Sequence, residues 1–368
     1  MSKIRDILKE RNIPDALTMK SGKPVLNIQD FEKRRRELKR ILENEIYGVM
    51  PPNPIHLDVD IDSVDTVFCA GKAPLTKYKM TCLFENGEIV IPFYSVIPKS
   101  DKPVPAFVHI NFRSDIPDKY MPSEEICDRG FAVFSFCYDD VSEDDADVRK
   151  LRDKVAKYLM PPRRTKNSPG KIAIWAWFAM RIMDCIETLD TIDKENVAVV
   201  GHSRLGKTAL LAGGFDERFK YVISNCSGCS GAALTRGKNG ESVPRITTMF
   251  PHWFCKNYYN NADSFEDLGV DQNFLLALTP PRHLLVGSAE DDLWADPTSE
   301  FLCLAETNRV YELYGMKGLV HNDEIPPAGT VLSDGDASYH HRKGMHYFSR
   351  EDWHVYMDFI EKNMRKQR

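Results

Sequence analysis

The chain has 368 residues, of which 42% are hydrophobic and 28% are charged, a composition typical of a globular protein with a large core. Its formal net charge of −5 gives no support for binding to a polyanion such as nucleic acid. No run approaches the roughly 18 apolar residues that a membrane-spanning helix needs. We therefore expect neither a nucleic-acid partner nor a membrane partner.

The first 50 residues predict a helical extension. The segment "NIQDFEKRRRELKRILENEIYGVMPP" has the spacing of an amphipathic helix that ends before Pro51 and Pro52. Its basic cluster, residues 32–40, is flanked by acidic residues, which favours a solvated helix face over a nucleic-acid patch.

The N-terminal sequence and the cysteines both bear on location. The residues after Met1, "SKIRDILKERNIPDAL", lack the apolar core of a secretory signal. The nine cysteines are odd in number and scattered through apolar segments, which favours free thiols over a disulfide framework. We therefore expect a cytoplasmic protein.

The middle of the chain predicts a mostly parallel sheet. Two β-rich runs surround Asn86 and Gly87, which is a strong hairpin signal. Short apolar runs follow at residues 104–112, 131–138, 197–200, 221–225 and 283–289, as expected of parallel strands that are buried on both faces. Helical patterns separate several of them, so we predict a doubly wound α/β fold with helices on both faces and the hairpin at its leading edge.

Two long stretches, about residues 140–170 and 230–280, do not follow this alternation. They are rich in loops and aromatic residues, and we interpret them as insertions over the carboxyl ends of the strands, where open α/β sheets bind ligands. With the N-terminal extension, the prediction is a single α/β-hydrolase domain over residues 1–368.

The stretch "NVAVVGHSRLGKTALLAGG" predicts a catalytic serine. A buried strand runs directly into a helical pattern at Ser203, and Gly201 and Gly206 flank the turn. This resembles a nucleophile elbow, although Leu205 holds the usual position of the second glycine. The alternative is a serine that caps an ordinary helix, which would explain neither Gly201 nor the strand before it.

A serine nucleophile needs a base and an acid, which in this fold class follow it in the order acid, then histidine. The late strand at 283–289 is followed by Glu290, Asp291, Asp292 and Asp296, and the residues alone do not decide among these carboxylates. His346 precedes Ser349, the predicted N-cap of the last helix. His340 and His341, in what we interpret as a polar loop, are weaker candidates for the base. These three histidines lack the spacing of a zinc site, so we expect no metal or other cofactor.

Several motifs together resemble the glucuronoyl esterases, carbohydrate esterase family fifteen. They are "GHSRLGK", "SNCSGCSGAALTR", "GESVPRITTMFPHWFCKNY", "EDDLWADPTSEF" and "GMHYFSREDWHVYMDF", in this order, and the likeness is clear over residues 170–362. The resemblance implies a serine hydrolase that cleaves the ester between 4-O-methyl-glucuronic acid on xylan and an alcohol. It also implies that no metal is needed.

The resemblance assigns roles to individual residues. Ser203 would be the nucleophile, His346 the base, and Arg204 a stabiliser of the oxyanion, together with backbone N–H groups of Arg204 and of a loop near residues 111–114. The matched sugar-binding positions are Lys207, Glu241 and Trp294. On the residues alone, these three are equally well explained as a solvated helix residue, a surface loop residue and a core residue.

The chain departs from the family pattern at one position. Many members carry the acid as a glutamate 23 residues after the nucleophile, where this chain has Cys226. Other members use an aspartate after the late strand, so Asp292 is the predicted acid and Asp291 the second choice. The substrate would be a small-molecule or oligosaccharide ester. The alternatives are a deacetylase of xylo-oligosaccharides with the same triad and a non-catalytic sugar-binding homologue.

Overall fold

The computed structural model describes residues 3–146, 154–161 and 163–366. In this part of the chain ten strands form one sheet: His56–Asp65 (β1), Leu75–Phe84 (β2), Gly87–Val96 (β3), Val104–Asn111 (β4), Ala132–Cys137 (β5), Ile192–His202 (β6), Tyr221–Asn225 (β7), His283–Ala289 (β8), Thr330–Leu332 (β9) and Ala337–Arg342 (β10). Their order across the sheet is β1-β2-β3-β5-β4-β6-β7-β8-β10-β9.

The six strands from β5 to β10 in this order are parallel, and the strands outside them are antiparallel. The chain passes from β4 to β5 on one side and then returns to β6 on the other side of β4. The carboxyl ends of β4 and β6 therefore form the switch point at which open α/β sheets bind ligands. The predicted α/β fold is confirmed, as is the β2–β3 hairpin, although β1 lies outside it at the edge of the sheet.

The helices cover both faces of the sheet. They are Lys3–Glu10 (α1), Ile28–Leu42 (α2), Ser123–Asp128 (α3), Tyr138–Val141 (α4), Lys154–Leu159 (α5), Lys171–Ile186 (α6), Arg204–Phe215 (α7), Val243–Met249 (α8), Lys256–Asn260 (α9), Asn273–Leu276 (α10), Pro297–Glu306 (α11), Asn308–Leu313 (α12) and Arg350–Lys366 (α13). Among the described residues, no helix has the length and apolar character needed to cross a bilayer.

Two apolar clusters fill the space between the sheet and its helices. The larger contains α6, which is buried on all sides and includes Trp175 and Trp177, and it extends to α2, α7 and α11. The smaller packs Ile126 of α3 and Trp353 of α13 against the opposite face. Because both faces are covered, the central strands are mostly apolar, which explains why their sequences could be recognised.

The predicted solvated face of α2 is wrong at two positions. Arg34 and Arg35 are buried, with 3% and 4% of their surface exposed. Arg34 Nε donates to the carbonyl of Ala16 at 3.2 Å, and Arg35 donates to the carbonyls of Leu278 and Pro280. Backbone carbonyls from distant segments, which the local pattern does not reveal, hold these charges inside the protein.

Candidate active site

Ser203 lies at a sharp turn between β6 and α7, and its backbone is in the left-handed region, with φ 57° and ψ −126°. A non-glycine residue in such a conformation costs about 1–3 kcal/mol and requires support from its surroundings. Part of that support is a hydrogen bond from the Ser203 backbone N–H to the carbonyl of Asn225, at 2.8 Å. A Cβ atom at Gly201 would lie 2.1 Å from the carbonyl oxygen of Leu205, so the turn needs glycine there.

His346 and Asp292 are hydrogen-bonded to each other. His346 lies in the loop between β10 and α13, and its Nδ1 is 2.6 Å from Oδ2 of Asp292, which follows β8. Asp292 is buried, whereas the neighbouring Asp291 is exposed. Burial raises the pKa of Asp292, but the hydrogen bond and the charge of His346 together lower it below its usual value. The structure therefore pairs the histidine with Asp292 and not with Asp291.

His202, directly before Ser203, connects the elbow to the histidine loop. Its ring centroid is 4.5 Å from that of His346, and its Nδ1 is 2.7 Å from Oδ1 of Asn225. Burial, followed by the nearby His346, lowers the pKa of His202 to about 3, so the ring is neutral at ordinary pH. A neutral imidazole can pack against His346 without repelling the charge that a general base acquires. Neither His202 nor Asn225 was predicted from the sequence.

Cys226 lies beside this pair. Among the described residues, its Sγ belongs to a group with donor atoms of Asp292 and His346 that all lie within 4.8 Å of one another. Burial raises the pKa of the Cys226 thiol well above its usual value. The position of the family's alternative acid is thus adjacent to the histidine, but it holds a neutral group that cannot replace a carboxylate.

The prediction that His340 and His341 lie in a polar loop is wrong. Both residues are buried on strand β10. Successive residues of a strand point to opposite faces of the sheet, so the two side chains diverge. His340 Nδ1 is 3.1 Å from Asp352 Oδ1, and His341 Nδ1 is 2.9 Å from the carbonyl of Pro326.

Arg204 begins α7 and is held by Asp144 of the first predicted insertion, with which its Nη1 forms an ion pair. Asp144 Oδ1 also lies 2.7 Å from His252 Nε2 and accepts a hydrogen bond from Trp253 Nε1 at 2.6 Å. Although burial raises the pKa of Asp144, these two hydrogen bonds and the Arg204 charge lower it to about 2. The guanidinium also lies over the ring of Trp253, 4.6 Å from its centroid.

The sequence did not identify Asp144 or His252 as site residues. Asp144 is one of several acidic residues in "DDVSEDD", and nothing in that run distinguishes its carboxylate from those of its neighbours. We expect a second oxyanion donor among the backbone N–H groups near residues 111–114. The Phe112 N–H is removed from these candidates, because it already donates to Asn111 Oδ1 at 2.8 Å.

The exposure of the three predicted sugar-binding residues, Lys207, Glu241 and Trp294, contradicts the alternatives of a solvated helix residue, a surface loop residue and a core residue. Lys207 is 4% exposed and Glu241 7%, so neither is a surface residue, whereas Trp294 is 43% exposed and is not part of the core. Burial lowers the pKa of Lys207, and the nearby Glu241 charge opposes this effect. The Glu241 N–H donates to the carbonyl of Trp294 at 3.1 Å, and Lys207 Nζ donates to the carbonyl of Ser227.

Comparison with known proteins places this arrangement in context. A family model described as "Glucuronyl esterase, fungi" matches residues 85–315. A carbohydrate esterase from an unknown prokaryotic organism is 32% identical, over 96% of this chain and 89% of that protein. A 4-O-methyl-glucuronoyl methylesterase from Thermothelomyces thermophilus is 30% identical, over 83% of this chain and 72% of that protein.

Solved structures of glucuronoyl esterases are also similar to this chain. The glucuronoyl esterase from Solibacter usitatus superposes with a TM-score of 0.86 at 30% identity, covering 95% of this chain and 97% of that one. A serine-to-alanine mutant of the Sporotrichum thermophile glucuronoyl esterase was solved in complex with methyl 4-O-methyl-β-D-glucopyranuronate. It superposes with a TM-score of 0.66 at 25% identity, covering 82% of this chain and 78% of that one.

Proposed function

Because the chain belongs to the glucuronoyl esterase family of carbohydrate esterases, we propose that it hydrolyses esters of 4-O-methyl-glucuronic acid through an acyl-enzyme on Ser203. Relatives named 4-O-methyl-glucuronoyl methylesterases support the acid portion of this substrate. The observation that carries the reaction is the 2.6 Å contact between His346 and Asp292 beside the strained turn at Ser203.

In the first half-reaction the serine hydroxyl attacks the ester carbonyl. His346 accepts the hydroxyl proton on Nε2 while Ser203 Oγ forms a bond to the carbonyl carbon, and the π electron pair moves to the carbonyl oxygen. Asp292 accepts from Nδ1–H, which selects the required tautomer and stabilises the imidazolium. The protonated His346 then donates its proton to the departing alcohol as the C–O bond breaks.

Arg204 is placed to stabilise the oxyanion. Its backbone N–H is the first after the nucleophile, which is where this fold class supplies a donor to the oxyanion. Its guanidinium adds a fixed positive charge, and the hydrogen bond that it donates to Asp144 keeps that group in one orientation, so it does not need to reorganise during the reaction. In the second half-reaction a water molecule, deprotonated by His346, attacks the acyl carbon. The bond from that carbon to Ser203 Oγ then breaks, the imidazolium returns the proton to Oγ, and the uronic acid is released.

Lys207, Glu241 and Trp294 would recognise the sugar. A buried ammonium and a buried carboxylate offer, respectively, donors and acceptors to hydroxyl groups, and both are largely removed from competing water. The exposed indole of Trp294 can pack against the apolar face of a pyranose ring. Together these groups favour an oligosaccharide, with the uronic acid against these side chains, over a simple alkyl ester.

We further propose a cytoplasmic protein that acts on a short, soluble ester derived from xylan. The nine free cysteines support this location, because reduced thiols are typical of a reducing compartment. A protein inside the cell would meet imported fragments and not an intact plant wall, so the chemistry calls for a small-molecule or oligosaccharide partner.

A comparison of two substrates tests the proposal. Purified protein is assayed with benzyl glucuronate and with acetylated xylo-oligosaccharides, and Ser203→Ala serves as the control. We expect the glucuronate ester to be hydrolysed with the higher kcat/KM. Faster release of acetate would favour the deacetylase, and binding of either sugar without turnover would favour a non-catalytic homologue.

A further inference from the structure

Arg342 is a buried arginine whose guanidinium holds the loop that carries His346. It is the last residue of β10 and is 4% exposed. Its Nη1 donates to the carbonyl of Lys343 at 2.9 Å, and its Nη2 donates to the carbonyls of Met345, at 2.8 Å, and Tyr347. Two of these three carbonyls belong to the residues immediately before and after His346.

Asp352 fixes the orientation of this guanidinium. Arg342 Nε donates to Asp352 Oδ2 at 3.1 Å, and the same oxygen accepts from the N–H and the hydroxyl of Ser349, each at 2.8 Å. Burial raises the pKa of Asp352, but His340 and the charge of Arg342 lower it below its usual value. Asp352 is fully buried. Because its Oδ2 accepts from both Ser349 and Arg342, a single carboxylate caps α13 and anchors the arginine.

The same loop is bonded to the segment that carries the acid. The Glu290 N–H donates to the carbonyl of Arg342 at 2.9 Å, and the Asp291 N–H donates to the carbonyl of Gly344 at 3.0 Å. The side chain of His346 is 44% exposed, so enclosure by neighbouring side chains does not fix the ring. The position of His346 therefore depends on the backbone of its loop, and the guanidinium of Arg342 is bonded to that backbone on both sides of the histidine.

We propose that Arg342, oriented by Asp352, is a positioning residue that keeps His346 Nδ1 within hydrogen-bond distance of Asp292. This inference rests on the proposed function, in which His346 is the base. Without the guanidinium, three carbonyls lose their donor and the loop gains conformational freedom. A displacement of a catalytic group by about 1 Å can cost on the order of a hundredfold in rate.

Arg342→Lys is the first test, and Arg282→Lys is its matched control. Arg282 is also buried and donates to the backbone carbonyls of Gly213, Phe219 and Leu278, but it does not contact the histidine loop. We expect Arg342→Lys to lower kcat by about 10- to 100-fold with KM nearly unchanged, because the lysine keeps the charge but not the geometry. Arg282→Lys should lower Tm with kcat nearly unchanged. Equal losses of kcat in the two variants would overturn the proposal.

A double mutant separates positioning from general destabilisation. If Arg342 acts through the contact between His346 and Asp292, its replacement should cost much less in an Asp292→Asn background than in the wild type. Fully additive losses would contradict the proposal. Should Arg342→Lys fail to fold, Asp352→Asn removes the anchoring charge at nearly constant volume, and the same loss of kcat and the same non-additivity are expected.

A second readout does not depend on any substrate. The proton shared by His346 and Asp292 should give a downfield proton NMR resonance that is absent in His346→Gln. We expect this resonance to shift or broaden in Arg342→Lys and to stay unchanged in Arg282→Lys. An unchanged resonance in Arg342→Lys would refute the positioning role. A wild-type protein that hydrolyses no ester would instead refute the proposed function, and the resonance would still decide the role of Arg342.

Discussion

The guanidinium of Arg204 and the carboxylate of Asp144 form an ion pair between a helix that begins at the turn of Ser203 and a loop 60 residues earlier in the chain. The carboxylate also contacts His252 and Trp253, so one partly buried acid joins α7 to both predicted insertions. The orientation of the Arg204 side chain therefore depends on contacts with segments that are distant in the sequence.

Asp144→Asn is therefore expected to lower kcat/KM by about 10- to 100-fold, the range that follows from losing a hydrogen bond to a charged group. An amide offers only one acceptor oxygen where the carboxylate accepts on both, and it brings no charge to hold the guanidinium. Steady-state kinetics on a glucuronate ester measures the effect. Glu143→Gln, at an exposed neighbouring position, is the control and should behave as the wild type.

The two adjacent aspartates after β8 should respond very differently to the same substitution. Asp292→Asn removes the carboxylate that His346 contacts at 2.6 Å, and a loss of kcat of about 10³- to 10⁴-fold is expected, as when a triad acid is replaced. Asp291→Asn changes an exposed side chain, so its kcat should stay within about threefold of the wild type. The reverse ranking would assign the acid to Asp291.

Lys207→Met should change selectivity more than chemistry. Methionine has similar volume and tolerates burial, but it donates no hydrogen bond to a sugar hydroxyl. We expect KM for a glucuronate ester to rise at least about tenfold, while kcat/KM for a small acetate ester changes little. An equal loss with both esters would show that Lys207 supports the catalytic groups or the fold and does not recognise the sugar.

The burial of Glu300 leads us to expect that the free energy of unfolding falls as the pH rises towards 7. Glu300 is fully buried, and burial raises its pKa to about 7 although Ser288 and the Gly228 N–H donate to it. Because the pKa is higher in the folded than in the unfolded protein, Glu300 contributes stability below about pH 4.5 that is lost as the pH rises towards 7. The difference corresponds to roughly 3 kcal/mol of unfolding free energy.

Chemical denaturation of Glu300→Gln between pH 5 and pH 8 measures this loss. The variant should lose less unfolding free energy than the wild type as the pH rises, because glutamine does not ionise. Glu290→Gln, at an exposed position, should follow the wild type throughout. Parallel pH profiles for Glu300→Gln and the wild type would contradict the prediction.

The sequence predicted the parts of this fold that depend on local pattern. The strands before Ser203 and Asp291 contain short apolar runs because helices cover both faces of the sheet, and the glycine at 201 is required by the turn itself. Strand β10 was missed because "ASYHHR" contains polar residues whose burial is made possible by Asp352 and by the carbonyl of Pro326.

The supporting residues of the site could not be predicted in the same way. Asp144 and Arg342 act through contacts with segments far away in the chain, and neither has a local signature that separates it from other charged residues. The residue pattern alone predicted Ser203 as the nucleophile and His346 as the base, and the resemblance to a family added the sugar-binding positions and the preference for Asp292 over Asp291. The contact between Asp292 and His346 is visible only in the three-dimensional structure.

The most direct test of the central claim is the turnover of a 4-O-methyl-glucuronate ester by Ser203→Ala, with circular dichroism to confirm that the variant folds. We predict a kcat at least about a thousandfold below that of the wild type, as expected when a triad member is removed. A folded Ser203→Ala protein with nearly wild-type turnover would contradict the assignment of Ser203 as the nucleophile, and with it the mechanism.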